Sequence, residues 1–138
     1  MILRCLFCLL LTLFSAQQLV WAESMPSIEK SEAFQRYSRR PTTELSKLIF
    51  LIDRYKNSEL KVMYDGHEYT AVESAGYAKT FLSKNYKKGA ADYWVKNHCY
   101  RTEPAGNIIY VKFSDGSKRP LKDILLEDLG RLQKLSVG

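Results

Sequence analysis

Residues 60–73 read LKVMYDGHEYTAVE, and this stretch determines the predicted fold class of the chain. Its first part has the alternating pattern of a half-buried strand, with Leu60, Val62 and Tyr64 at every second position. Asp65-Gly66 follows directly. Because both residues tolerate a positive φ, they predict a two-residue turn and a short return strand over 67–69. Thr70 and Glu73 then match a capping box, so a helix is expected to begin where the hairpin ends.

Helices are predicted on both sides of this hairpin. The first runs from Thr42 or Thr43 to about Tyr55, with an apolar stripe at helical spacing formed by Leu45, Leu48, Ile49 and Ile52. The helix after Thr70 extends to about Tyr86, with an apolar side formed by Ala75, Ala78 and Leu82 and flanked by Tyr77 and Phe81. A third helix over 90–100 is expected to bury Ala91, Trp94, Val95 and His98.

A second hairpin and a last helix complete the predicted order. Ile108, Tyr110 and Phe113 are expected to face inward from a strand, and Asp115-Gly116 supplies its turn. Pro120 suits the first position of the last helix, whose inward residues are Leu121, Ile124, Leu125, Leu129 and Leu132. Its early polar face is expected to carry Asp123, Glu127 and Asp128. This order predicts a single α+β domain, in which a small, mainly antiparallel sheet of two hairpins packs with about four helices.

The N-terminus has the pattern of a secretory signal peptide over residues 1–22. One basic residue precedes a short apolar run, and Val20-Trp21-Ala22 places cleavage between Ala22 and Glu23. The alternative is an uncleaved membrane anchor, but Gln17 and Gln18 interrupt the apolar run before it reaches the length of a membrane span. No transmembrane helix is expected in the mature chain. Residues 23–41 are interpreted as a flexible leader or a loosely attached helix, since residues 28–37 could form two turns, and residues 42–138 as the domain. The expected location is therefore periplasmic or secreted.

Charge and cysteine content narrow the functional classes. The formal net charge is +6, and loss of Arg4 with the signal peptide leaves +5. This excess favours an anionic envelope component or an acidic protein as partner. Nucleic acid is not expected as a partner outside the cytoplasm. Cleavage also removes Cys5 and Cys8, so Cys99 is predicted to be a free thiol and no disulfide is expected.

The order of motifs resembles the YfeK-like family of small exported bacterial proteins, a domain of unknown function. The resemblance covers 44–132 and depends on short motifs: Leu48-Ile49, Tyr64-Asp65-Gly66, the alanine-rich helix, Ala91-Asp92-Tyr93-Trp94-Val95 and Tyr110-Val111-Lys112. Family members carry an Arg-Asn-Gly turn and a serine cluster, where this chain has Tyr64-Asp65-Gly66 and residues 99–103. The resemblance implies the fold and export, and it implies no activity.

Two groups of residues are candidates for function. Asp65, His67 and Glu68 beside the first turn could form an acid/base pair, although turn chemistry also accounts for them. No spacing typical of a metal or cofactor site accompanies them. The second group combines lysines with aromatic residues and suits an anionic ligand, although it is also compatible with a solvated helix face: Lys84, Tyr86, Lys87, Lys88, Tyr93 and Trp94.

These observations favour a non-enzymatic binding protein for an envelope component. The alternative is a small envelope hydrolase that uses Asp65, His67 or Glu68.

Overall fold

The computed structural model describes residues 25–137. The predicted signal peptide and its cleavage point therefore lie outside the described residues. The helices are α1 Glu32–Ser38, α2 Glu44–Lys56, α3 Ala71–Asn85, α4 Ala91–His98 and α5 Leu121–Val137. The strands are β1 Lys61–Tyr64, β2 His67–Thr70, β3 Tyr110–Lys112 and β4 Lys118–Pro120, and a 3-10 turn over Ile28–Lys30 precedes α1.

The first hairpin forms as its sequence predicts. Tyr64 pairs with His67 across the turn, and Asp65 and Gly66 have φ values of 49° and 80°. Two successive positive φ values are those of a type I′ turn, whose twist matches that of the flanking strands. Thr70 caps α3 by accepting a hydrogen bond from the Glu73 amide at 3.2 Å, so strand and helix are joined without a loop.

The four strands form one antiparallel sheet in the order β2-β1-β3-β4. Each outer strand belongs to a hairpin, and the two hairpins join through the pairing of Val62 with Val111 and its neighbours. The main hydrophobic core is formed by residues of the N-terminal 3-10 turn and of the helices. The predicted α+β class and the single domain of two hairpins are confirmed, and α1 adds a helix to the expected four.

The inward face of the second hairpin differs from the prediction. Ile109 and Val111 are buried, whereas Ile108 and Tyr110 at the alternate positions are half-buried. Phe113 is also half-buried and lies just beyond the end of β3. Side chains alternate between the faces of a strand, so a shift of one residue exchanges its two faces. Pairing of Val111 with Val62 on the central strand β1 sets this register.

Within the segment predicted as a leader, residues 28–37 form helical turns as the sequence allows, but the prediction of a flexible or loosely attached segment is wrong because they pack into the core. Ile28, Ala33 and Tyr37 are each no more than 4% exposed and belong to the main core. The Ser31 hydroxyl accepts from the Phe34 amide at 3.2 Å and caps α1. The domain therefore includes the segment that begins at residue 25.

This added segment also changes which side of α2 is buried. Phe50 is fully buried and its ring lies 5.7 Å from that of Tyr37 on α1, while Leu45 of the predicted stripe is 39% exposed. Leu48 and Leu51 are buried on the same helix. The prediction places α1 outside the domain and therefore expects the Phe50 side of α2 to be exposed. In the structure, α1 packs against that side and buries it.

The apolar residues predicted to face inward on α5 do so, but the prediction for Asp128 on the same helix is wrong. Asp128, expected on the polar face, is 2% exposed and lies against α2. Its Oδ2 accepts from Arg54 Nε at 2.8 Å and from the Tyr55 hydroxyl, and its Oδ1 accepts from Arg131 at 3.2 Å. Burial first, and then the Asp128 carboxylate, raise the pKa of Tyr55.

Arg54 extends this ion pair to the start of the domain. Its side chain is 7% exposed, and its NH1 donates to the Pro26 carbonyl at 3.1 Å. One guanidinium thus joins α2, α5 and the N-terminal segment. Within residues 25–137, no helix combines the length and apolar character needed to span a bilayer.

Removal of either partner of the Arg54–Asp128 pair is expected to destabilise the domain strongly. Asp128→Leu leaves the buried Arg54 guanidinium without its carboxylate, and Arg54→Met leaves the buried Asp128 with only the exposed Arg131 as ion-pair partner. Loss of the buried partner in such a pair costs about 3–5 kcal/mol. The double variant removes both charges and is expected to recover most of that loss. Urea unfolding measures the three free energies, with Glu127→Ala as the exposed control on the same helix. Additive losses in the double variant would contradict this prediction.

Candidate functional site

Asp65 connects the first hairpin to the loop after α4. Its Oδ1 accepts from the Thr102 hydroxyl at 2.5 Å and from Asn107 Nδ2 at 2.9 Å. These two hydrogen bonds, with the one from Thr102 the larger, lower the pKa of Asp65, and the charge of His67 adds to them. Thr102 is itself 1% exposed. Asp65 therefore acts as a structural acceptor that holds the loop against the turn.

Glu68 lies in an ion-pair cluster on β2. Its carboxylate is 3.2 Å from Lys61 Nζ and 3.5 Å from Lys112 Nζ, on the two strands that follow β2 across the sheet. The hydrogen bond from Lys61 is the largest of the influences that lower the pKa of Glu68. A lowered pKa makes this carboxylate a weaker base near neutral pH.

Of the three hairpin candidates, Asp65 and His67 interact electrostatically, whereas Glu68 is directed away from His67. His67 is exposed, and its ring lies 6.3 Å from that of Tyr69. His67 and Glu68 are neighbours on a strand and point to opposite faces. Asp65 and Glu68 each have other partners. Among residues 25–137, no group of three or more His, Cys, Asp or Glu side chains is arranged to hold a metal ion.

The lysine–aromatic candidates come together on the surface formed by α3, α4 and the loop between them. We call this surface the α3–α4 face, and it comprises Tyr77, Phe81, Lys84, Tyr86, Lys87, Lys88, Tyr93, Trp94 and His98. α3 buries only Ala71, Ala75 and Leu82, and eleven of its fifteen residues are exposed. The helix therefore presents a broad side to solvent.

Trp94 is the centre of an aromatic cluster on this face. Its ring lies 4.1 Å from His98, 5.6 Å from Tyr86 and 5.7 Å from Phe81. The rings of Phe81 and His98 are also 5.5 Å apart, so Trp94, Phe81 and His98 are all in mutual contact. Each aromatic contact contributes about 0.5–1.5 kcal/mol beyond the area it buries, so the rings are held in position.

Lysines are concentrated in the two helices and the loop that carry the aromatic cluster. Residues 71–98 contain five lysines against two carboxylates, Glu73 and Asp92. Asp92 pairs with Lys96 at 3.6 Å. Lys84, Lys87 and Lys88 are exposed, and none has a carboxylate within ion-pair distance in the described part of the chain. The face therefore carries positive charge that the rest of the described domain does not neutralise.

Sequence reasoning missed three residues of this face. Tyr77 and Phe81 were placed beside the apolar side of their helix, yet they are 66% and 46% exposed. His98, predicted to be buried, is exposed at the end of α4. The alanines of α3 could have indicated this exposure. A helix that packs through alanines lies close to the neighbouring helix, so its larger side chains remain on the solvent side. Tyr93, which was predicted as a binding residue, is 67% exposed.

Cys99 follows α4 and lies outside the aromatic cluster. Its side chain is half-buried against the core, and it is a free thiol. Burial raises the pKa of this thiol to about 12. The thiolate is the reactive form of cysteine, so the fold suppresses the reactivity of Cys99.

A shallow pocket of about 280 Å3 lies at the start of the described chain, between α1 and α2. It contains none of the predicted site residues, and its charged lining includes Glu32, Arg36, Asp53 and Arg54. Arg36 and Arg40 each approach Asp53 to 3.5 Å, so the charge of that carboxylate is balanced within the domain.

Comparisons with protein-family models, with curated proteins and with solved structures found no match. The resemblance to the YfeK-like family therefore stays a prediction from sequence motifs, and the function must be argued from the geometry.

The hydrogen bonds to Asp65 are expected to make part of the domain's stability pH-dependent. A lowered folded-state pKa means that this contribution is present above the unfolded value of about 4 and is lost as pH falls through the folded value. Asp65→Asn keeps the turn and removes the titration. The Tm of the wild type minus that of Asp65→Asn should therefore decrease from pH 7 to pH 2. A constant difference would contradict the role assigned to this carboxylate.

Cys99 is expected to resist alkylation in the folded protein. The rise of its pKa from 9.0 to about 12 lowers the thiolate fraction at pH 8 by roughly a thousandfold. Iodoacetamide labelling, followed by mass spectrometry of the Cys99 peptide, should be slow in buffer and fast in urea. Equal rates in the two conditions would show that the thiol is accessible and ionised in the fold.

Proposed function

We propose that this protein is an exported, non-enzymatic binding protein that recognises an anionic envelope component through the α3–α4 face. The observation that carries this proposal is the exposed aromatic cluster around Trp94, bordered by lysines that have no carboxylate partner in the described domain. Phosphate groups of lipid headgroups or of wall polymers are the shared ligand chemistry that suits such a surface.

The arrangement of charge supports an external anion. An exposed lysine without a partner repels its neighbours, so Lys84, Lys87 and Lys88 together make an unfavourable local concentration of charge. A bound polyanion relieves this repulsion and releases counterions from both surfaces. Ionic strength should consequently weaken the complex, because exposed charges are screened over about 8 Å at physiological salt.

The aromatic residues add a second type of contact. Tyr93 is 67% exposed on α4 next to the half-buried Trp94. The ring of Tyr86, which directly precedes the loop lysines, lies 5.6 Å from that of Trp94. The Tyr86 hydroxyl donates to the Gly89 carbonyl at 2.9 Å and holds that loop. Tyrosine and tryptophan combine an apolar ring with a polar edge, which suits both a headgroup region and a sugar ring.

The hydrolase alternative has weaker support. The Asp65 carboxylate accepts from Thr102 and Asn107, and the Glu68 carboxylate is paired with Lys61 and Lys112. No observation in the described chain favours hydrolysis over binding.

Reversal of the loop lysines should abolish recognition. The probes are vesicles of phosphatidylglycerol, vesicles of phosphatidylcholine and soluble poly(glycerol phosphate). Each lysine near an anionic surface contributes about 1 kcal/mol, so Lys87→Glu with Lys88→Glu should weaken binding by about 30-fold or more. Vesicle sedimentation and the emission of Trp94 measure binding, and circular dichroism verifies the fold.

The matched control reverses two exposed lysines elsewhere, Lys118→Glu with Lys134→Glu, and produces the same change in net charge. Binding to phosphatidylglycerol alone identifies a lipid surface, and binding to the polymer alone identifies a wall component. Absence of binding to both anionic probes, or equal loss in the control variant, overturns the proposal.

A further inference from the structure

The exposed side of α3 has a pattern that is complementary to itself. Glu73, Tyr77, Thr80 and Lys84 recur at i, i+4, i+7 and i+11, and all four are exposed. At about 100° per residue, they lie on one stripe roughly 60° wide, nearly opposite the buried Ala71, Ala75 and Leu82. This stripe begins with a carboxylate and ends with an ammonium group.

From this pattern we infer that two copies of the chain associate through α3, with the two helices antiparallel about a twofold axis. This inference goes beyond the binding function and does not depend on it. It assigns Tyr77, Phe81 and Lys84 of the α3–α4 face to the dimer contact and leaves the loop residues Lys87 and Lys88 for anion binding. In a twofold contact, residue i meets residue j while residue j meets residue i. An axis at the midpoint of the stripe places Glu73 level with Lys84 of the second copy, and Tyr77 level with Thr80.

The distances along the helix agree with this pairing. Glu73 and Lys84 are both about 8 Å from the midpoint of the stripe, because α-helices rise 1.5 Å per residue. Two helices that pack 8–10 Å apart bring such side chains within ion-pair reach. Measured along the helix axis, Phe81 lies within about 1.5 Å of the position of the second copy's Tyr77. Two aromatic contacts therefore accompany the two ion pairs.

Both charged residues are available for this contact. Glu73 and Lys84 form no ion pair with another residue in the described domain. In the antiparallel arrangement, each of the two Lys84 side chains faces a carboxylate, and the two lysines are about 16 Å apart. That separation exceeds the screening length of about 8 Å. A parallel pair would instead place Lys84 against Lys84.

The aromatic residues are held ready for the contact. Tyr77, which is 66% exposed, packs edge-on against Tyr69 at 5.7 Å. Phe81 is fixed between Trp94 and His98. Side chains that are ordered before association lose less conformational entropy when they bind. Thr80 between them is small enough to admit the ring of Tyr77 from the second copy.

A charge-exchange series tests this inference. Sedimentation equilibrium should show a reversible dimer for the wild-type protein at micromolar to submillimolar concentration. Glu73→Lys and Lys84→Glu each create two like-charge contacts per dimer, so each should weaken the dimer by at least tenfold. The double variant Glu73→Lys with Lys84→Glu restores opposite charges at unchanged net charge and should recover the dimer.

Two controls separate this test from that of the binding function. Glu59→Lys alters an exposed residue away from the stripe and should leave dimerisation unchanged. Lys87→Glu with Lys88→Glu should lose anion binding and keep the dimer. A wild-type protein that stays monomeric throughout the concentration range, or a double variant no better than the single reversals, overturns the inference.

Discussion

The buried contact between Arg54 and Asp128 is the interaction on which the rest of the domain depends. It joins α2 to α5, and Arg54 also holds the Pro26 carbonyl at the start of the described chain. Two charges this well buried are tolerated only because each has charged or hydrogen-bonded partners, including Tyr55 and Arg131. The pair therefore sets the mutual position of three segments that are far apart in the sequence.

This arrangement leaves one side of the domain without cover. α2 is enclosed by α1, α3 and α5, whereas α3 contributes only two alanines and a leucine to the buried interior. Large side chains on α3 and α4 are consequently displaced to the surface, where Trp94 organises them into a cluster. The surface that we propose for binding and the stripe that we infer for dimerisation both result from the narrow buried side of α3, which consists of two alanines and a leucine.

Local features were predictable to the extent that they depend on neighbours in the chain. Asp65-Gly66, the Thr43 and Thr70 caps and the inward stripe of α5 all follow from backbone preference or helical period. The lysine–aromatic candidates were identified for the same reason, since their density is visible in the sequence. Their grouping around Trp94 was not predicted, nor were Tyr77, Phe81 and His98, because exposure depends on how closely α3 approaches its neighbours.

The sequence by itself determined the α+β class, the two hairpin turns and the excess of positive charge, because composition and short-range stereochemistry specify these properties. Only the tertiary structure decided that residues 28–37 belong to the core, that Asp128 is buried, and that β3 turns Ile109 and Val111 inward. The physical reason is the same in each case. Whether a residue is buried depends on what packs against it, and the partners here come from segments separated by tens of residues.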